Sequence, residues 1–132
     1  MPQFSNLVVN DRETTPVSHT YTPNGVEGNS AALVESTGTP VGDRLFVINW
    51  SKTANNRYKR RLRLTVPIVQ TQTVNGVATP VVVRTGYVDC SFTFDGTSSE
   101  QERKNVVGMF ADSLNASKTV VNDTIVKLEG IF

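Results

Sequence analysis

"RYKRRLRLTVPIV", residues 57–69, decides how the rest of the chain is read. Five of the chain's 13 Lys and Arg fall in its first seven positions. Eight basic residues then remain elsewhere against 12 acidic ones, so the positive charge is local although the net charge is only +1. A local excess points to one anionic partner at one place. In a strand, side chains alternate between faces. Lys59, Arg61, Arg63 and Thr65 then share one face, and Arg60, Leu62, Leu64 and Val66 the other. The second face is apolar enough to bury, with Arg60 close enough to a turn to reach water. A disordered basic arm has no reason to alternate with Leu, and a helix would scatter the cations around its circumference.

The flanking segments extend this strand into a sheet. "RLFVINWSK" (44–52) alternates Phe46, Ile48 and Trp50 against Val47, Asn49 and Ser51, and "TANN" (53–56) forms the turn. "PVVVRTGYVDCSFTF" (80–94) sets Val88, Cys90 and Phe92 against Thr85, Tyr87, Asp89 and Ser91. With apolar faces together, one side buries Phe46, Ile48, Trp50, Leu62, Leu64, Val88, Cys90 and Phe92. The other presents Asn49, Ser51, Lys59, Arg61, Arg63, Thr65, Tyr87 and Asp89. Cations for phosphates, amide and hydroxyl groups for base edges, and an aromatic ring for stacking suit RNA. An ordinary solvated sheet face is the plainer alternative, and a protein or lipid partner a third.

Further out, "FSNLVVN" (4–10) and "VSHTYTP" (17–23) make a hairpin, and "AALVES" (31–36) a further strand. Asn75-Gly76 within "QTQTVNGVAT" (70–79) signals a tight turn. After residue 95 the pattern becomes helical. In 98–116, Val106, Val107, Phe110 and Leu114 form a stripe, with Ser98 or Ser99 as N-cap. In 118–128, Val121, Ile125 and Leu128 do the same, and Gly130 is the expected stop. Strands first and helices last give an α+β fold with an antiparallel sheet. The 132 residues fit one domain, 1–132: hairpin about 4–23, sheet about 31–94, helices about 98–128. The helices must cover the apolar sheet face, either their own or a partner's.

Other classes fit poorly. One cysteine, Cys90, allows no intrachain disulfide, and its place in an apolar alternation reads as a structural thiol. His19 is the lone histidine and lies far from Cys90 in sequence, so neither a metal site nor a catalytic dyad is expected. Glu100 and Glu102 suit a helix start better than acid–base work. No Gly-rich phosphate loop, cofactor motif, membrane span or secretory signal is read, which places the chain in the cytoplasm where it is made.

The pieces "VP" (66–67), "TQTVNGV" (71–77), "PV" (80–81), Tyr87, "INWSKTANNRYK" (48–59) and "SSEQERKNVVGMFADSL" (98–114) resemble the coat proteins of single-stranded RNA bacteriophages, the levivirus family. The resemblance covers essentially the whole chain. It implies an N-terminal β-hairpin, a five-stranded antiparallel sheet and two C-terminal helices, in an interlocked homodimer whose helices cover the partner's sheet. It implies a T=3 icosahedral virion built from three quasi-equivalent conformations and assembled in the host bacterial cytoplasm. The paired sheet would face the interior and bind a viral RNA operator hairpin, repressing replicase translation and marking the genome for packaging. By position, the adenine-pocket role falls on Val47, Asn49, Arg61 and Arg63, with Ala31 nearby; Val47 and Arg61 depart from the family's small polar residues. Tyr87 matches the stacking tyrosine, and Asp89 falls where a base or ribose contact is expected. Asn56, Arg57 and Lys59 fall where phosphates are met. Ser51 and Thr65 complete the face. Thr73, Asn75, Gly76 and Pro80 match an assembly loop that switches conformation; an ordinary hairpin turn is the alternative. A non-assembling RNA-binding regulator remains the rival function.

Overall fold

The computed structural model describes residues 2–38 and 40–132. The chain forms two compact units, Met1–Thr93 and Phe94–Phe132. The first carries the sheet and the second the helices.

Among the described residues six strands lie in sequence order: β1 (Leu7–Asn10), β2 (Ser18–Glu27), β3 (Ser30–Glu35), β4 (Arg44–Lys52), β5 (Arg57–Val74) and β6 (Val77–Asp95). The expected separate hairpin and five-stranded sheet are thus one sheet. The reason is β2, which runs four residues past Pro23 and pairs with β1 on one side and β3 on the other. A register shift between Pro23 and Gly25 absorbs the proline, and Gly25 takes φ 136° there.

The expected loop at 70–79 is also shorter than its composition suggests. β5 continues to Val74 and β6 starts at Val77, leaving Asn75 (φ 53°) and Gly76 (φ 79°) as the whole connection. Positive φ at both central residues is what a twisted two-residue hairpin turn requires, and Asn-Gly supplies it cheaply. Thr73 and Pro80 therefore belong to strands. The prolines of β5 and β6 also sit where a donor is not missed. Pro80 is on β6, at the sheet edge, and Pro67 lies beyond Thr65, where the β4 register ends at Leu45. Before β4, a short 3-10 turn (Pro40–Gly42) lies against β5: a Cβ on Gly42 would sit 2.6 Å from Thr37 Oγ1 and 2.9 Å from Val69 Cγ2.

The core of this unit is small. Tyr21 (3% exposed), Ala31 and Leu33 (2%) are its buried apolar residues, with the Tyr21 and Phe46 rings edge-on at 6.1 Å. The face expected to bury is only half covered: Phe46, Ile48, Trp50, Leu62, Leu64, Cys90 and Phe92 are intermediate, and Val88 is 54% exposed. A single sheet has no second layer of its own, so its apolar face stays partly open.

In the second unit α1 spans Glu100–Ser113. Of the two candidate serines, Ser99 is the cap: it is extended, and its hydroxyl accepts the Glu102 N–H at 3.2 Å. Ser98 instead binds Arg103, whose Nη1 donates to its carbonyl (2.6 Å) and hydroxyl (3.1 Å). Glu100 and Glu102 sit in the first turn as expected. The second helix, α2 (Thr119–Ile125), ends well before Gly130. Leu128 turns the chain at φ 60°, and the Glu129 N–H bonds the Asp123 carbonyl at 3.2 Å. A left-handed leucine does the work assigned to glycine. The stripe residues Val106, Val107, Phe110, Leu114, Ile125 and Leu128 are all exposed.

Candidate nucleic-acid interface

The β4–β5 register sets the polar face. Ser51 pairs with Lys59, Asn49 with Arg61, Val47 with Arg63, and Leu45 with Thr65. Directly paired residues of antiparallel strands project to the same side. The three cations of alternate positions thus stand in one row, each beside the β4 residue that the sequence assigned to the same face. On the other side of β4, Asn49 pairs with Ser30 and Val47 with Ala32, and the Ser30 hydroxyl reaches Asn49 Oδ1 at 3.1 Å. Ala31, expected nearby, lies opposite Ile48 on the other face and is buried. The β3 residues that face the row are Ser30 and Ala32. The slip is one residue, enough to invert every side chain of a strand.

Asn29, Ser30, Asn49, Trp50, Ser51, Lys59 and Arg61 line a cavity of about 420 Å³ on this side of the sheet. The sequence reading names neither Asn29 nor Ser30, and it sets Trp50 on the apolar face. The signal available was Gly28, whose φ of 58° makes the turn that delivers Asn29 and Ser30 to β3. The Trp50 N–H bonds the Asn29 carbonyl at 3.0 Å, closing that end of the cavity.

Arg61 is already engaged. Its Nε donates to Asp89 Oδ1 at 2.8 Å, and its Nη2 donates to Oδ2. The pair is bidentate and half exposed, with side chains 41% and 50% accessible. The Arg61 hydrogen bonds hold the Asp89 carboxyl below the usual carboxylate range, helped by the charges of Arg61, Arg63 and Lys59. Arg61 in turn is raised, first by its bond to Asp89. Arg63 and Lys59 are exposed, and Tyr87, 76% exposed, is open to stacking. Thr65 is half-buried. Asn56 closes the β4–β5 turn at φ 57°, and Arg57 opens β5 with its carbonyl accepting the Thr53 N–H at 2.8 Å. Arg60, on the opposite face, lies over the Tyr58 ring at 5.6 Å and donates to the Ser51 carbonyl. Thr73, Asn75, Gly76 and Pro80 cluster at the far end of the β5–β6 ribbon and are exposed.

A second charged group occupies the apolar side. His19 Nε2 meets Asp11 Oδ2 at 2.7 Å, and its Nδ1 meets Glu35 Oε2 at 2.9 Å. Arg44 Nη1 donates to Glu35 Oε1 at 2.6 Å. Both ring nitrogens face carboxylates, so the imidazolium form, with two donors, fits the site. Hydrogen bonds to Asp11 and then Glu35 raise its pKa. Asp11 is held down to about 2 by the backbone N–H of Val17, then by His19 and the Glu13 N–H. Among the described residues no group of His, Cys, Asp and Glu could hold a metal ion.

Comparison with known proteins places this geometry. The chain is 52% identical over 130 residues to the capsid protein of Pseudomonas phage PRR1, covering 98% of this chain and 99% of that one. It is 29% identical over 83 residues to the capsid protein of Qbeta virus (strain MX1), covering 61% and 62% of the two chains. Among solved structures, the virus-like particle of bacteriophage NT-214 superposes with a TM-score of 0.87 at 20% identity, covering 99% and 100% of the two chains. The capsid protein of bacteriophage GA gives 0.83 at 18% identity, covering 97% of each. The Levivirus coat protein family pattern matches residues 2–132. A sheet followed by two terminal helices, near-full-length identity to a phage capsid protein and that match agree: the chain belongs to the levivirus coat protein family, a structural rather than an enzymatic family.

Proposed function

We propose that this chain dimerises, builds the icosahedral shell of an RNA phage, and uses the polar sheet face to bind an RNA hairpin. That binding represses replicase translation and aids genome packaging. Both units then work as one coat-protein domain, 1–132. The observation that carries the RNA reading is the row Lys59–Arg61–Arg63, in register with Ser51–Asn49–Val47, beside a cavity and the exposed Tyr87 ring. Stacking, backbone cations and amide or hydroxyl groups on one surface are what splayed RNA bases require. Self-association is supported by two open apolar surfaces: the half-covered sheet face and the exposed helix stripes. Large exposed apolar areas mark protein contacts. In this reading Thr73, Asn75, Gly76 and Pro80 act at contacts between dimers, and assembly occurs in the host cytoplasm.

The purified chain, expressed alone, is expected to elute in the void of a gel-filtration column as particles containing host RNA. A small dimer without particles at neutral pH and moderate salt would favour the non-assembling regulator. Arg63→Ala and Tyr87→Ala are expected to weaken hairpin binding while particles still form. Loss of one base stack costs about 1–3 kcal/mol. Unchanged affinity in both variants at fixed salt would exclude this face.

A further inference from the structure

Among the cations of the polar face stands the Asp89 carboxylate, and it is spent on Arg61. Both Asp89 oxygens accept from the guanidinium fork, one from Nε and one from Nη2. Such a carboxylate is a stand-in for phosphate: like a phosphodiester, it offers arginine a pair of anionic oxygens that can accept both N–H groups of the fork. The two residues come from neighbouring strands, β5 and β6, so the strands hold the pair in place.

We propose that Asp89 is a specificity-determining residue that acts as an internal competitor for Arg61, withholding it from RNA backbone in general. This rests on the RNA-binding reading of the polar face. A phosphate approaching Arg61 must displace an acceptor already bidentate, and it meets the Asp89 charge as it does so. A passing backbone gains little from that exchange. A ligand that offers an acceptor to Arg61 together with a donor to Asp89 keeps both charges paired. A base edge carrying an acceptor beside an N–H does this, and a phosphodiester, which has no donor, does not. Lys59 and Arg63 are left to supply the unspecific attraction. Their charges reach Asp89, as does that of Arg61, and all three favour its ionised form, so the competitor stays charged across the neutral range. Arg61 thus becomes the conditional member of the row.

The test uses the full chain and two probes at several salt concentrations. One is a mixed-sequence single-stranded RNA of about 20 nucleotides, long enough to cover an RNA-binding site. The other is the stem-loop that the unsubstituted protein enriches from a randomised pool. Asp89→Asn is expected to bind the mixed-sequence RNA about three- to tenfold tighter at low salt, with a salt slope steeper by about 0.7, the value for one more phosphate contact on a single strand. The selected stem-loop should gain less, so the ratio of the two affinities falls. Arg61→Met is expected to weaken mixed-sequence binding strongly in the Asp89→Asn background and weakly in the unsubstituted one. Equal losses in the two backgrounds would reduce Asp89 to a bulk charge and overturn the proposal. So would an Asp89→Asn protein that binds mixed-sequence RNA no tighter. Asp89→Ser repeats the measurement with a smaller side chain. Arg63→Ala separates the two levels of the reading. If it too leaves both probes unchanged, the face itself is misassigned. If it weakens both while Asp89→Asn is silent, only the competitor fails.

Discussion

Two charged clusters sit on opposite faces of one sheet and behave differently. On the apolar side, His19, Asp11, Glu35 and Arg44 form a closed group with side chains 15–31% exposed. With His19 protonated its formal charges cancel, and each ring nitrogen has a carboxylate. On the polar side, Arg61 and Asp89 cancel each other but stand between Lys59 and Arg63, which are left over. A cluster that balances its own charges ties strands together. A cluster with an exposed cationic remainder waits for an anion. Clusters made of the same residue types thus divide into a clasp and, in the proposed reading, a landing site for RNA, and the remainder, not the pairing, makes the difference.

Substitutions can break this division, the most damaging first. Leu33→Ala empties the centre of the apolar side and is expected to lower stability by about 2–5 kcal/mol. Urea unfolding checks this, and a cost under that range would mean that the small core is not where the sheet is held. Glu35→Gln removes one carboxylate shared by His19 and Arg44, and is expected to cost about 1–3 kcal/mol. The exchange protection of β2 and β3 amides should fall with it, while RNA affinity per folded molecule stays constant. Coupling to RNA binding would erase the division.

The pH dependence separates the faces further. His19 has a raised pKa in the folded chain, so its contribution is fully present below the ordinary value of 6.5 and is lost as pH rises through the raised one. Melting temperature should therefore decline on the alkaline side, in step with the His19 ring signals in an NMR titration, and His19→Gln should flatten that limb. Asp11 has the opposite sign: its contribution is present above 3.8 and lost as pH falls toward about 2. The smallest stability effect belongs to the polar face. Arg63→Ala should leave the melting temperature in place while reducing the salt dependence of RNA binding, since under the proposed function it removes a phosphate contact and no packing. A lowered melting temperature would move Arg63 to the clasp side.

Much of this was legible because strands write their faces into the sequence at period two. Leu62 and Leu64 against Arg61 and Arg63 define the two sides of β5 by sequence alone. The sequence put Asn49 and Arg61 on one face, and their direct pairing is a finding of the β4–β5 register. What local pattern could not carry was partnership across distance. Arg61 and Asp89 were assigned one face, yet nothing in 28 residues of separation announces a bidentate bond. His19 was set aside as a lone histidine because its two carboxylates lie 8 and 16 residues away. Ala31 was misplaced by a single position, since the Gly28 turn that sets the β3 register leaves little hydrophobic signal. The left-handed Leu128 contradicts its own residue type, and propensity offers no way to see it.

The β5–β6 hairpin has a mechanical consequence. The β4 register ends at Thr65, and residues 66–74 of β5 run on with β6 as their strand neighbour. At about 3.4 Å per residue that is an arm of roughly 30 Å. Gly42, pressed against Val69, is its bearing. Roughly 20 Å of ribbon lies beyond that bearing at about 3.4 Å per residue, so a bend of about ten degrees there would carry the Asn75-Gly76 tip through about 3.5 Å. In the proposed shell, identical chains would then meet unequal neighbours by flexing this beam at its bearing, with the turn at the tip carried along intact.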